Sequence, residues 1–270
     1  MTDTGADQLR KLFETVRAED RAALLPYLTA GIPDEASSVA MFEAMSEAGA
    51  DGFEIGIPYA DPLMDGPVIA EAASRSLASG MTIARALEIT EQVVVSTEKP
   101  VLLMTYTNPV LYYGVERFSR AAADSGAAGL IIADLPIEEA DPFLGATRAA
   151  GLGMALFAAP TTTDDRLEAL VQAAPSFIYA IASLGVTGER AKGSSAIQEL
   201  ASRIRSISQV PIVAGVGIST PGQAAAAARA VDGVIVGSVL VRRVLEETDA
   251  ESAARSVGSA VRAFSAAVRH

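Results

Sequence analysis

The sequence predicts a (β/α)8 barrel of the TIM-barrel type with an extra N-terminal helix, as a single domain over residues 1–270. Eight apolar runs of strand length recur along the chain. Helix-like segments separate them, with no linker or low-complexity tract between. Eight βα units in 270 residues suit one barrel. A doubly wound α/β sheet is the alternative that this alternation leaves open.

The first element is an amphipathic helix ahead of the first strand. Leu9, Leu12, Phe13 and Val16 follow helical spacing on one face. Because it precedes the first βα unit, we expect this helix to lie across the bottom of the barrel.

The strands are expected where short β-type runs stand between turn residues and helical patterns. The eight runs are residues 22–29, 52–57, 101–106, 128–135, 153–158, 176–182, 211–217 and 233–238. The helices between them are typified by residues 33–50, in which Val39, Phe42 and Met45 share one face and Gly49 ends the pattern.

Composition limits the available chemistry. Half of the residues are hydrophobic and the net charge is −12, which argues against a nucleic acid or an anionic membrane as partner. The chain has no cysteine and its only histidine is His270, so a His-based triad and a zinc site are excluded and no metal is expected. The N-terminus shows no signal-peptide pattern, and we expect a soluble, cytoplasmic protein.

Glu54 is the first candidate for chemistry, since it interrupts the apolar run of the second strand. It alternates with Phe53 and Ile55, so it points to the opposite face of the strand, into the barrel and near its C-terminal mouth. Burial there should raise its pKa and allow it to act as acid and base. The alternative is a structural glutamate paired with an arginine from a neighbouring helix.

Two aspartates follow in a Gly/Pro-rich loop. Asp65 precedes Gly66 and Pro67, and it is either a functional carboxylate or a cap of the helix that Pro67 opens. Asp61 precedes Pro62, a pair that commonly forms a turn.

Glycine turns after strands seven and eight predict a phosphate site. Gly215 and Gly217 follow strand seven, and Gly237 and Ser238 follow strand eight. Barrel enzymes commonly bind phosphate at these positions through backbone N–H groups and a helix N-terminus. A third glycine-rich segment, residues 183–195, is long enough to act as a lid.

The three lysines are poorly placed for a Schiff base. Lys11 lies in the N-terminal helix, Lys99 precedes strand three and Lys192 lies in the glycine-rich segment. Carbon–carbon cleavage without a metal or Schiff base requires a substrate that supplies its own electron sink. An indole ring protonated at C3 is such a sink.

The motifs FEIGIPYADPLMDGP, LLMTYTNPVLYYG, ADLPIEEA, GVTG, GVGIST and VIVGS, in this order, resemble the tryptophan synthase α subunit over essentially the whole chain. The resemblance implies a lyase that cleaves indole-3-glycerol phosphate to indole and glyceraldehyde 3-phosphate. It further implies no cofactor in this chain and an α2β2 assembly with a β subunit, where pyridoxal phosphate would condense indole with serine.

The resemblance also implies roles for individual residues. Glu54 matches the acid/base, Asp65 the carboxylate that holds the indole N–H, and Tyr179 the tyrosine beside Glu54. The other matches are Tyr27, Tyr106, Ala133, Phe157, Ile235 and Thr187 for substrate binding, Gly188, Gly217, Gly237 and Ser238 for phosphate, and Asp61 and Asn108 for the β-subunit interface.

The sequence departs from the family pattern at three positions. Ala60 stands in place of Ser, Ser183 in place of Arg and Tyr27 in place of Phe, and the first two lie in loops that couple the subunits. Three other functions remain open: another phosphate-binding barrel of aromatic biosynthesis, such as an indoleglycerol-phosphate synthase or a phosphoribosyl isomerase; a stand-alone indole-releasing lyase; and a binding or activating subunit with little activity of its own. The synthase would use lysines on strands, which this sequence does not offer.

Overall fold

The computed structural model describes residues 3–173, 175–181, 190–215 and 217–269, without the side chains of residues 190–194. Its strands occur where the sequence predicts them; the fifth has the predicted bounds, and each of the others begins or ends inside its predicted run. They are β1 (Ala23–Thr29), β2 (Phe53–Gly56), β3 (Val101–Thr105), β4 (Gly129–Ile132), β5 (Gly153–Ala158), β6 (Phe177–Ile181), β7 (Ile212–Gly215) and β8 (Gly233–Val236).

All eight strands are parallel and close into a barrel in sequence order. Closure is made by β8 against β1, with Leu25 opposite Ile235. This closed sheet confirms the predicted (β/α)8 barrel and excludes the doubly wound sheet, which has two open edges.

Helices surround the barrel and cover its outer face. Within the described residues they are α1 (Gly5–Ala18), α2 (Glu35–Glu47), α3 (Pro67–Ala78), α4 (Ile83–Thr97), α5 (Thr107–Tyr113), α6 (Val115–Asp124), α7 (Asp141–Ala149), α8 (Asp164–Gln172), α9 (Arg190–Ile207), α10 (Pro221–Ala228), α11 (Ser238–Glu246) and α12 (Ala250–Val268). A 3-10 turn at Ile137–Glu139 precedes α7, and α12 packs against α2. None of the described helices is long and apolar enough to cross a membrane.

Helix α1 lies across the bottom of the barrel, as predicted. Leu9 and Phe13 are buried, and they approach the glycines that begin three strands. A Cβ at Gly153 would come within 2.6 Å of Leu9, and one at Gly233 within 3.5 Å of Phe13. The strands therefore begin with glycine where the helix packs most closely on them.

The buried carboxylate of Asp232 joins elements at this end of the barrel by pairing with two partly exposed arginines. It accepts hydrogen bonds from Arg17 Nε at 2.6 Å, from Arg205 at 3.1 Å and from the Ile212 amide at 2.8 Å. A carboxylate bonded this completely is stable when buried. The cluster ties α1 and α9 to the starts of β7 and β8.

The predicted alternation of side-chain direction along β2 is confirmed. Phe53 packs edge-on against Phe42 of α2, with ring centroids 5.4 Å apart, so this face of the strand meets the helix layer. Glu54 therefore points into the barrel, beside Tyr27, its register partner on β1.

Two predicted boundaries need correction. The run over residues 128–135 forms a strand only at Gly129–Ile132, because the chain turns at Ala133 and Asp134. The glycine-rich segment over residues 183–195 is helical from Arg190 onwards, at the start of α9.

Candidate active site

A cavity of about 270 Å³ opens at the C-terminal ends of the strands. Most of its wall is apolar, and among the described residues that line it the acidic side chains are Glu54 and Asp65. Of the described residues that line it, none is lysine or arginine. The remaining lining residues are Tyr27, Met64, Gly66, Ile69, Met104, Ile131, Ala133, Phe157, Tyr179, Ile181, Gly217, Ile218, Ser219, Ile235, Gly237 and Ser238.

Glu54 is 3% exposed, and its Oε2 has no hydrogen-bond partner among the described residues. Burial raises its pKa to about 8, and the nearby charge of Asp65 adds to this rise. A buried carboxyl oxygen without a partner costs free energy that a structural residue would avoid. The structural alternative requires an arginine beside Glu54, and none of the described arginines bonds to Oε2. This oxygen is therefore available to a ligand.

Asp65 also faces the cavity, from the loop between β2 and α3. Burial raises its pKa to about 6, while hydrogen bonding to the Tyr106 hydroxyl acts in the opposite direction. The N-cap of α3 is Gly66, and no side chain caps that helix. The alternative function of Asp65 as a helix cap is therefore wrong.

Two tyrosines flank Glu54, and each occupies the space beside a glycine. A Cβ at Gly56 would overlap the Tyr27 hydroxyl, and one at Gly215 would overlap the Tyr179 hydroxyl. Burial holds the pKa of both tyrosines well above the usual value, so both stay protonated. The ring of Tyr179 stacks on Phe157 with centroids 4.7 Å apart.

The predicted substrate-binding residues are largely brought together. Tyr27, Ala133, Phe157 and Ile235 line the cavity. Tyr106 is 1% exposed and lies behind this wall, because β3 ends at Thr105 and the chain then turns into α5. Its assignment to substrate binding stays a prediction.

Several lining residues were not singled out from the sequence. Met104 and Ile131 are register partners on β3 and β4, and they face the same interior as Glu54. The alternation of those strands was the signal that could have identified them. Ile69 and Ile218 lie outside the strands, where alternation carries no information.

The predicted phosphate residues meet at one side of the cavity. Gly217, Gly237 and Ser238 line it, and α11 begins at Ser238 with Gly237 as its N-cap. Gly217 has φ +90°, a conformation that strains L side chains, and a Cβ there would meet open space. Free backbone N–H groups at a helix start suit an anion. Ser219, which also lines the cavity, contributes an additional hydroxyl.

Two predicted site residues, Thr187 and Gly188, lie outside the described residues, as does Ser183. Their assignments as lid and phosphate residues stay predictions.

The predicted interface residues are exposed beside the cavity mouth. Asn108, on α5, donates from Nδ2 to the Tyr59 hydroxyl at 3.1 Å, and this bond joins α5 to the loop that carries Asp61. The same two segments expose four large apolar side chains, which we call the apolar rim. These are Leu63 (76% exposed), Met64 (44%), Leu111 (54%) and Tyr112 (95%).

Comparison with known proteins finds one family over nearly the whole chain. The family model described as "Tryptophan synthase alpha chain" matches residues 13–269. The tryptophan synthase alpha chain of Nocardia farcinica is 44% identical over 249 residues, which cover 92% of this chain and 93% of that protein. That of Thermosynechococcus vestitus is 42% identical over 240 residues, which cover 88% and 90%.

Solved structures give the same result. A chain of Mycobacterium tuberculosis tryptophan synthase superposes with a TM-score of 0.89 at 39% identity, over 97% of this chain and 98% of that chain. The tryptophan synthase subunit alpha of Legionella pneumophila superposes with a TM-score of 0.88 at 32% identity, over 97% and 98%.

Proposed function

The chain belongs to the tryptophan synthase alpha chain family, lyases that cleave indole-3-glycerol phosphate and supply indole to a β subunit, and we propose that Glu54 and Asp65 carry out this cleavage at the barrel mouth. The observation that carries the proposal is the placement of two carboxyls in one cavity, with Glu54 fully buried and its Oε2 without a partner among the described residues. With a pKa of about 8, Glu54 is mostly protonated at neutral pH, whereas Asp65, at about 6, is mostly ionised. Two carboxyls in one cavity thus hold different protonation states, as acid and charge stabiliser require.

The reaction starts with protonation of the ring. Glu54 donates its proton to C3 of the indole ring, and the positive charge that forms on the ring resides largely on N1. Asp65 accepts a hydrogen bond from N1–H and stabilises this charge. The apolar wall lowers the local dielectric constant and so strengthens that attraction.

Bond cleavage follows from the same two groups. The carboxylate of Glu54 accepts the proton of the hydroxyl on the carbon attached to C3, and that oxygen forms a carbonyl as the carbon–carbon bond breaks. The bonding electron pair returns to the ring and neutralises N1. The products are indole and glyceraldehyde 3-phosphate, and the net change is one proton moved from oxygen to carbon.

Substrate orientation follows from the two halves of the cavity. The flat indole ring suits the apolar side, where Phe157 and Ile235 lie, and the phosphate suits the backbone N–H groups near Gly217 and Gly237. Since no lysine or arginine lines the described wall, we assign phosphate binding to backbone groups and the start of α11.

Electron balance requires no cofactor, because the protonated indole ring accepts the electron pair. We therefore propose that this chain uses none and that pyridoxal phosphate belongs to the β subunit. The cytoplasmic location stays a prediction.

A β subunit is the partner that the family relationship implies. We propose an α2β2 assembly in which the apolar rim, with Asp61 and Asn108, contacts the β subunit. Exposed Leu63 and Tyr112 support this, since large apolar side chains grouped beside an active-site mouth are typical of a binding surface.

The test measures indole release from indole-3-glycerol phosphate, with and without a tryptophan synthase β subunit, for the parent and for Glu54→Gln. We expect turnover in the parent, faster with the β subunit, and loss of turnover in Glu54→Gln with substrate binding retained. Glu43→Gln, at an exposed site on α2, is the control for the amide substitution.

Each alternative gives a different result. Normal turnover in Glu54→Gln would falsify its assignment as the acid/base. Equal turnover with and without the β subunit identifies a stand-alone lyase. No indole under either condition, with activation of the β subunit, identifies a binding or activating subunit.

A further inference from the structure

Tyr106 sits directly behind Asp65, on the side away from the cavity. It is the N-cap of α5, its ring is buried, and its hydroxyl accepts a hydrogen bond from the Met64 amide at 3.2 Å. We propose that Tyr106 is a positioning residue that holds the Asp65 carboxylate toward the substrate, and that Asp134 fixes Tyr106 in turn. The inference rests on the proposed function of Asp65.

The Tyr106 hydroxyl has one proton to donate. Because its oxygen already accepts from Met64, that proton is available to the carboxylate of Asp65, the next residue along the loop, whose charge acts on this hydroxyl. Burial and the charge of Asp65 raise the pKa of Tyr106, so the hydroxyl stays protonated and remains a donor. One hydroxyl thus accepts from the loop backbone at residue 64 and has its proton available to the side chain at residue 65.

The loop needs such an attachment, because it contains no regular secondary structure. Within it, the Asp65 amide donates to the Pro62 carbonyl at 3.1 Å, a bond that shapes a turn without attaching it to the barrel. The described side-chain bonds from residues 59–66 to other elements both lead to the β3–α5 region, through Tyr106 and through Asn108. The ring of Tyr59 also packs on Tyr106, with centroids 5.4 Å apart.

Asp134 fixes the start of α5 from the neighbouring strand. Its Oδ1 accepts from the Thr107 amide at 2.7 Å and from the Thr107 hydroxyl at 2.8 Å. Helix α5 has only seven residues, and the side chain of its own N-cap, Tyr106, makes no capping bond. A helix this short depends on external contacts for its orientation. Asp134 therefore fixes the backbone next to Tyr106 and, through it, the position of the Tyr106 ring.

Among the described residues, three ionisable side chains face Asp65 across the cavity, and Tyr106 at the end of β3 lies behind it. The three are Tyr27 from β1, Glu54 from β2 and Tyr179 from β6. The hydroxyl of Tyr106 is the one whose hydrogen bond lowers the pKa of Asp65. Without this hydroxyl, Asp65 should both lose its orientation and bind a proton at higher pH.

The main test is Tyr106→Phe, which removes only the hydroxyl. We expect kcat with indole-3-glycerol phosphate to fall roughly tenfold or more, the size expected for one hydrogen bond to a charged group. KM should change by less than about threefold, because the cavity wall is kept. The acid limb of the kcat–pH profile should move to higher pH. Tyr113→Phe, on the same helix, is the matched control and should retain parental kcat.

A double-mutant cycle separates positioning from general stability. In an Asp65→Asn background, Tyr106→Phe should cause no further loss, because the carboxylate it positions is gone. An equal loss in both backgrounds, or parental kcat in Tyr106→Phe, overturns the inference. Normal turnover in Asp65→Asn refutes instead the catalytic role of Asp65, so the two failures are distinguishable.

Two variants test the contribution of Asp134. Asp134→Asn keeps an oxygen that can accept from Thr107 and should retain kcat within about twofold. Asp134→Ala removes the acceptor and should reproduce the kcat loss and the pH shift of Tyr106→Phe. Parental kcat and pH profile in a folded Asp134→Ala protein overturn this part of the inference.

Discussion

The Tyr179 ring occupies the space in which residue 215 would carry a Cβ. The two residues lie on the adjacent strands β6 and β7, and glycine at 215 lets the tyrosine hydroxyl stand beside Glu54 in the barrel interior. The position of a catalytic-site tyrosine thus depends on the absence of a side chain on the next strand.

Gly215→Ala should therefore displace Tyr179. The added carbon overlaps buried ring atoms, so we expect the free energy of unfolding to fall by about 1–3 kcal/mol and kcat to fall as well. Denaturant unfolding and indole-release kinetics measure the two effects. Gly145→Ala on α7, where a Cβ meets nothing within 4 Å, is the control and should be neutral or slightly stabilising. Unchanged stability and rate in Gly215→Ala would mean that the ring has room to move.

Glu54 should make the protein less stable as the pH rises. Its pKa is raised from 4.5 to about 8 by folding, so the folded state binds more protons than the unfolded state between these values. The neutral glutamine of Glu54→Gln has no such dependence. We expect parent and variant to have similar stability near pH 4.5, and the variant to be more stable above pH 8 by at most roughly 5 kcal/mol.

The measurement is the free energy of unfolding of both proteins by urea at each pH from 4.5 to 8.5. Glu43→Gln again controls for the amide substitution on the surface. A difference between parent and Glu54→Gln that does not grow with pH would show that Glu54 ionises without a penalty.

Gly217 should contribute to phosphate binding through its backbone. Alanine is strained at φ +90°, so Gly217→Ala should rotate the local peptide groups away from the phosphate. We expect the affinity for glycerol 3-phosphate, measured by calorimetry, to fall about tenfold, the effect of losing one or two hydrogen bonds to a charged group. Gly145→Ala should bind like the parent. Parental affinity in Gly217→Ala would remove residue 217 from the phosphate site.

Asp61 should affect activation by the β subunit more than the basal rate. It is exposed beside the apolar rim, outside the described lining of the cavity. A titration of the chain with β subunit, followed by indole production, compares the parent with Asp61→Ala. Asp124→Ala, at an exposed position on α6 near the opposite end of the barrel, is the control. Equal activation of parent and Asp61→Ala would place Asp61 outside the interface.

The sequence predicted the residues whose position follows from strand alternation. The direction of Glu54 followed from its neighbours on β2, and the predicted fifth strand, residues 153–158, has the observed bounds. Tyr106 was assigned to substrate binding by the family resemblance and not by alternation, and it lies one residue beyond the end of β3, which is at Thr105.

The missing information in that region is a contact between distant residues. Asp134 leaves the end of β4 to bind Thr107, and this contact ends two strands that the local pattern would extend. Asp65 was identified from its loop motif. That it does not cap α3 depends on Gly66 serving as the N-cap, which backbone angles determine. The local sequence determines neither the contact between Asp134 and Thr107 nor the position of the N-cap.

Pairing of β1 with β8 makes the order of synthesis important. A ribosome releases β1 about two hundred residues before β8, which begins at Gly233. During that interval one edge of β1 has unpaired N–H and C=O groups, which can pair with other chains. Helix α12, which covers α2, emerges after β8. The nascent chain is therefore exposed to aggregation until β8 has emerged, and chaperones at the ribosome have their greatest effect before that strand appears.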